Sequence, residues 1–252
     1  MGLGVVTASP SQAWRVAALS MMRKEDLHAI LSGDPTSSAR WVEAAAALGV
    51  PEAQVRLGRM LLVGEGVPKS EAAAAALFEN AAIAGDAEAM NMLGRCYENG
   101  WGTDVDMARA AKCYSRAAGQ GLDWAQYNYG HMLLDGQGVP RDRDQAFLWY
   151  MRAATQGHVR AMNLVGRCFE EGWGTERNAR IAQSWYRKSA AGGYFRGAYN
   201  YASMLAADGC LCGAHIWFAR ALSTALEPTR TNIRKALSRH SDPAIRALAV
   251  SA

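Results

Sequence analysis

Long apolar runs are missing from this chain of 252 residues. No window approaches the ~18 apolar residues that a membrane-spanning helix needs, so no spanning segment is expected. The only early apolar stretch, Leu3 to Val6, lacks a basic flank, and a secretory leader is not expected either. Gly2 invites a myristoylation reading, but Val6 stands where that motif wants Ser or Thr. Clusters that carry chemistry are equally scarce. The five histidines, His28, His131, His158, His215 and His240, never fall four apart or beside a carboxylate cluster, which leaves metal-dependent hydrolysis without a candidate. Five cysteines form no disulfide framework, being odd in number and unpaired in spacing. Cys210-Leu211-Cys212 has neither zinc nor thioredoxin spacing and reads as part of a turn. These absences point to a protein without catalysis, metal or cofactor, kept in a reducing cytoplasm.

What the sequence does have is a period of 36 residues, marked by Gly49, Gly85, Gly121, Gly157 and Gly193. A fixed period of that size means a helical or strand array rather than one globular core. Nine residues after each marker come Gly58, Gly94, Gly130 and Gly166, with Ala202 in the fifth unit. Paired glycines follow as Gly64/Gly66, Gly100/Gly102, Gly136/Gly138 and Gly172/Gly174. Then Ala74, Ala110, Ala146 and Ala182 precede Phe78, Tyr114, Tyr150 and Tyr186 by four residues. After a four-residue deletion the fifth unit rejoins with Ala214 and Phe218.

Each unit divides into two helical stretches. In Glu88 to Glu98, Ala89, Leu93 and Tyr97 recur at intervals of four, one face of a helix. Gly94 lies inside that face, where glycine costs about 1 kcal/mol relative to alanine, so its recurrence predicts a close approach by another helix. The paired glycines and Pro68 and Pro140 make the turn, and Asp144 to Gln156 carries Ala146, Tyr150, Ala153 and Ala154 on one side of the second helix. Small residues beside a ring let two helices pack with the ring between them. Cys96 and Cys168 share one column and read, like the other thiols, as small buried apolar residues.

Together these columns resemble the Sel-1-like repeat, a relative of the tetratricopeptide repeat. The third unit writes it nearly in full as Ala125, Tyr129-Gly130, Gly136-Gln137-Gly138-Val139, Asp144, Ala146, Trp149-Tyr150, Ala153-Ala154 and Gly157. Trp101 and Trp173 between the paired glycines, Thr103 and Thr175 in place of Val, and the shortened fifth unit depart from it. The resemblance implies an all-α, right-handed α/α superhelical solenoid in one elongated domain. Residues 1–37 would form an N-terminal capping region, 38–225 the repeats, with a partial unit at 38–48, and 226–252 the C-terminal cap.

The ends carry their own signals. Ser11 to Leu31 reads as a helix, Asp34-Pro35 as a helix start, and Trp41 to Leu48 as the second helix of the partial unit. Glu227-Pro228 opens a helix with Ile233 and Leu237 inward, and Ser241-Asp242-Pro243 opens a last short one. Polar caps suit the exposed faces of a solenoid.

The resemblance implies a scaffold or adaptor that binds a protein or peptide on its concave, first-helix side, and a monomer is expected. The stripe beside the core face gives Asn91, Arg95 and Glu98, then Asn163, Arg167 and Glu170, with Tyr127 and His131 in the third unit, Arg59 in the first and Tyr199 in the fifth. Trp124 replaces Glu88 and Arg160 in its column and adds an apolar anchor. Solvated Arg–Glu pairs three apart are the plainer account of the same residues. Some secreted, cysteine-rich members of the family are linked to penicillins or cell-wall fragments, but they carry regular cysteine pairs that this chain lacks. RNA is the third reading, given a net charge of +4, yet Arg230, Arg234, Lys235 and Arg239 lie on the cap rather than the inner face. Turn glycines after a helix, without a following Gly-Lys-Ser/Thr, give no phosphate cradle.

Overall fold

The computed structural model describes residues 35–250. The expected helix over Ser11 to Leu31 and the Asp34 cap lie outside the described residues. Among the described residues every regular element is a helix. They are α1 (Pro35–Ala47), α2 (Pro51–Val63), α3 (Glu71–Ile83), α4 (Ala87–Asn99), α5 (Met107–Gly119), α6 (Asp123–Asp135), α7 (Arg143–Thr155) and α8 (Val159–Glu171), followed by α9 (Ala179–Ala191), α10 (Phe195–Ala207), α11 (Leu211–Thr224), α12 (Thr229–Leu237) and α13 (Pro243–Ala247). Even-numbered helices from α2 to α10 are first helices, and odd-numbered ones from α3 to α11 are second helices. The contacts define two compact units, one running through Ala125 with Gln137–Val139, the other comprising Gln126–Gly136 and Pro140 onward.

Within the first unit α1 packs on α2, α2 on α3, α3 on α4 and α4 on α5. The second unit runs α7 on α8, α8 on α9, α9 on α10 and α10 on α11, and ends with α12 and α13 against α11. In both, a first helix also touches the next first helix, α2 with α4 and α8 with α10.

Local chemistry sets each boundary. Ser70, Asp106, Asp142 and Asn178 occupy one column and accept an N–H from Ala73, Arg109, Gln145 and Ile181, capping four second helices. Such caps stabilise a helix by about 1 kcal/mol each. At the other end of the turn, Gly64, Gly100 and Gly172 take the left-handed conformation that ends the first helix. The turn then folds back so that the N–H of the capping residue meets the first helix, as Asp106 does at the Tyr97 carbonyl over 2.9 Å and Asn178 at Phe169 over 2.7 Å.

The recurring mid-helix glycine answers an aromatic ring rather than a backbone. A Cβ on Gly94 would lie 2.7 Å from Tyr114 Cε1, and Gly58, Gly130 and Gly166 face Phe78, Tyr150 and Tyr186 in the same way. The rings are fully or almost fully buried, flanked by Ala110, Ala117 and Ala118 or their counterparts. Burying a ring outweighs the propensity lost at the glycine, because one aromatic side chain hides about 150–250 Å². The second glycine of three turns, Gly102, Gly138 and Gly174, has another role: Gly102, at φ +69, has no room for a side chain beside the Glu71 backbone carbonyl.

Beyond the repeats, the described helices α1, α12 and α13 turn apolar residues inward. Val42 is buried on α1, Ile233 and Leu237 on α12, and Asp242 caps α13 by accepting from Ile245. Arg230 on α12 donates to the Leu222 and Ala225 carbonyls, closing the C-terminus of α11. Part of the basic run on the cap is therefore committed to the fold.

The cysteines divide. Cys96 and Cys168 are buried as expected and Cys113 is half-buried, but Cys210 and Cys212 are exposed. The correction follows from the shortened fifth unit, whose tight turn places Cys210 just before α11 and Cys212 in its first turn.

Candidate partner-binding site

In the first unit, the Arg95 guanidinium lies over the Trp101 ring, 5.0 Å from its centroid. Arg95 sits near the end of α4 and Trp101 in the left-handed turn that follows, so the glycine pair brings the indole back beneath the arginine. Nη1 also approaches the Met92 sulfur at 3.8 Å. Glu98 does not pair with Arg95; its Oε2 accepts the Tyr114 hydroxyl at 2.5 Å. Thr103 Oγ1 donates to the Cys96 carbonyl and pins the turn.

The second unit repeats this arrangement at one remove of two repeats. Arg167 lies 4.8 Å from the Trp173 centroid, with Arg143 a further 5.9 Å neighbour of that indole. Glu170 Oε2 accepts the Tyr186 hydroxyl at 2.5 Å. Burial, with the adjacent carboxylate, pushes both phenols well above their ordinary range. The expected Arg–Glu pairs three apart are thus replaced by Tyr–Glu bonds, and among the described residues Arg95 and Arg167 form no ion pair. A guanidinium resting on an indole holds its N–H edge ready for a planar carboxylate.

Other residues of the expected stripe behave differently. Asn91 and Asn163 are each 6% exposed, buried rather than displayed beside the arginines. Asn163 Oδ1 accepts from Asn200 of the next first helix at 2.9 Å, the physical reason for an amide there. Arg59 is ion-paired with Glu88, linking α2 to α4. Tyr199 is half-buried with its ring 5.4 Å from Phe218. Trp124 is 44% exposed.

Tyr127 and His131 form a ring cluster in the second unit. Their centroids are 4.7 Å apart, His131 meets Tyr150 edge-on at 5.5 Å, and Tyr127 lies 4.9 Å from His158. His158 Nδ1 accepts the Ala161 N–H and so caps α8. Burial also raises the Tyr127 phenol above its ordinary value. Sequence reasoning missed the Arg–Trp stacks, although Trp101 and Trp173 stood out as departures, and it missed the tyrosine acceptors. The signal was present: where the ring is Phe78 the glutamate column holds Leu62, and where it is Phe218 the column holds Ala206.

Among the described residues no three His, Cys, Asp or Glu side chains converge as a metal site, and no helix is long and apolar enough to cross a membrane.

Comparison with known proteins identifies the repeat. The Sel1 repeat family model matches residues 51–86, 87–122, 125–158 and 159–194. A protective antigen of uropathogenic Escherichia coli strains, c5321, with an SLR fold, superposes with TM-score 0.74 at 30% identity, covering 96% of this chain and 55% of that one. The chain therefore spans little more than half the length of that antigen. A Sel1 repeat protein from Oxalobacter formigenes gives TM-score 0.74 at 23% identity, over 91% of this chain and 98% of the other. Immunity protein Pa5087 from Pseudomonas aeruginosa shares the fold at TM-score 0.53 and 17% identity, over 79% and 74% of the two chains. No curated protein matches the chain in sequence.

Proposed function

The chain belongs to the Sel1 repeat family of all-α helical-repeat solenoids, and we propose that it is an adaptor for acidic peptide segments of a partner protein, with Arg95 the anchor in one compact unit and Arg167 the anchor in the other. Sel1 repeat proteins are generally protein-interaction scaffolds, which supplies the class of partner. The observation that carries the finer reading is the duplicated Arg–Trp pair, once in each compact unit. Both guanidiniums are exposed, stacked on an indole and, among the described residues, without a carboxylate partner. Each could make a charge-assisted hydrogen bond with a partner carboxylate, a contribution of about 1.5–3 kcal/mol. The reading requires neither a second copy of the chain, a monomer being expected, nor a catalytic group.

We place this activity in a reducing cytoplasm, which suits exposed free thiols at Cys210 and Cys212. Glu98 and Glu170 position the site through their tyrosines, while Trp124, Tyr127 and His131 add aromatic contact surface.

Photo-crosslinking in the source cell tests the surface. A crosslinker at exposed Asn99 or Glu171, on the ends of α4 and α8, should capture the partner. The same group at exposed Lys112 or Arg187, on second helices, should not. Capture from the second helices alone would contradict the reading.

A further inference from the structure

Repeat three breaks the Tyr–Glu rule that repeats two and four obey. Tyr150 is 0% exposed, and its hydroxyl has no hydrogen-bond partner among the described residues. The position equivalent to Glu98 and Glu170 is Leu134, itself buried. Repeats one and five show that the fold accepts phenylalanine here, as Phe78 and Phe218, when the acceptor column is apolar. The hydroxyl of Tyr150 is therefore not needed for packing, and leaving it unsatisfied is unfavourable.

Its direction is set by the sister repeats. There the hydroxyl reaches a glutamate on the same stripe as exposed Arg95 or Arg167. In repeat three that stripe carries half-buried His131 and Tyr127, whose centroids lie 5.5 Å and 6.3 Å from that of Tyr150. His131 takes the column of the exposed arginines and meets the Tyr150 ring edge-on, so a segment that reaches the phenol from this stripe must pass beside His131.

We propose that Tyr150 is a ligand-reading residue, whose hydroxyl donates to a carbonyl or carboxylate oxygen of the bound peptide segment beside Tyr127 and His131. This rests on the peptide-scaffold reading and adds a specificity element to it. The segment supplies the acceptor that Glu98 and Glu170 supply internally, and the aromatic walls exclude water from the bond.

The test uses peptides selected on the full wild-type chain from a random phage-displayed dodecapeptide library, with affinities measured for three variants. Tyr150→Phe removes the hydroxyl and keeps the ring, Leu134→Glu installs the acceptor of repeats two and four, and Arg95→Glu/Arg167→Glu probes the scaffold reading separately. Both repeat-three variants should weaken binding about tenfold, the equivalent of one buried hydrogen bond, while the melting temperature of Tyr150→Phe stays level or rises. Peptides weakened by the arginine reversals but indifferent to Tyr150→Phe would overturn this inference and leave the scaffold reading standing. Peptides indifferent to all three, or a library that retains none, would overturn both. A fall of several degrees in the melting temperature of Tyr150→Phe would show that the hydroxyl serves the fold, again overturning the inference.

Discussion

The Tyr114 hydroxyl donates to Glu98 Oε2 across 2.5 Å, joining the second helix of its repeat to the end of the first. The same bond joins Tyr186 to Glu170. Removing either hydroxyl leaves a carboxylate without its partner, so Tyr114→Phe and Tyr186→Phe should each destabilise by about 1–2 kcal/mol, read from urea midpoints at constant slope. Tyr150→Phe, measured alongside, should show no such loss.

Raising the pH should destabilise the protein. Burial pushes the Cys96 thiol up to about 11 and the Cys168 thiol up to about 12 from the ordinary 9.0. Raised folded values mean the stability is fully present below pH 9 and declines above it, as the unfolded chain ionises first, until the folded thiols titrate. The raised tyrosines act in the same direction above pH 10. Melting temperature should therefore be level through neutral pH and fall above pH 9, with a shallower decline in a Cys96→Ala/Cys168→Ala variant. A melting temperature that rises with alkaline pH would contradict the assigned burial.

Thiol reactivity should split the cysteines. Cys210 and Cys212 are exposed and should react at once with a thiol reagent in native protein, Cys113 more slowly, and Cys96 and Cys168 only on unfolding. Mass spectrometry of partly labelled protein reads the order directly. Early labelling of Cys168 would contradict the packing of α8.

A methyl group at a repeat glycine should cost stability despite better helix propensity. In Gly94→Ala the new Cβ meets the Tyr114 ring at 2.7 Å, and neither the ring nor α5 can retreat without opening the core. Overpacking costs about 1–3 kcal/mol against a propensity gain near 1, so a net loss is expected. Gly119→Ala, which meets nothing within 4 Å, is the control and should be neutral or stabilising.

The fold was legible because its determinants are local and repeated. Gly94 and Tyr114 each recur at intervals of 36, so chance resemblance is filtered out and the helix pair follows. The caps at Asp106 and Asp142 were present in the sequence too, hidden within a polar turn. The site was less legible because which side of a helix meets a neighbouring helix is a tertiary fact. A stripe drawn at i, i+4, i+7 joined Asn91 to Arg95 as though both faced outward, whereas Asn91 is buried and Arg95 exposed. Likewise Glu98 reads as the partner of Arg95 three residues away, until the structure brings Tyr114 from sixteen residues on.

Reversing the two stacked arginines together is the most direct measurement of the adaptor account. With the partner captured from the source cell, affinity is compared for wild type, Arg95→Glu/Arg167→Glu, and a cap control, Lys235→Glu/Arg239→Glu, drawn from exposed residues. Arg234 is unsuitable as a control because it is only partly exposed and already engaged. The account predicts that the stacked pair loses about tenfold or more in affinity with helicity and melting unchanged, while the cap variant binds normally. Unchanged affinity in Arg95→Glu/Arg167→Glu, or a loss confined to the cap variant as an RNA partner would give, would contradict it.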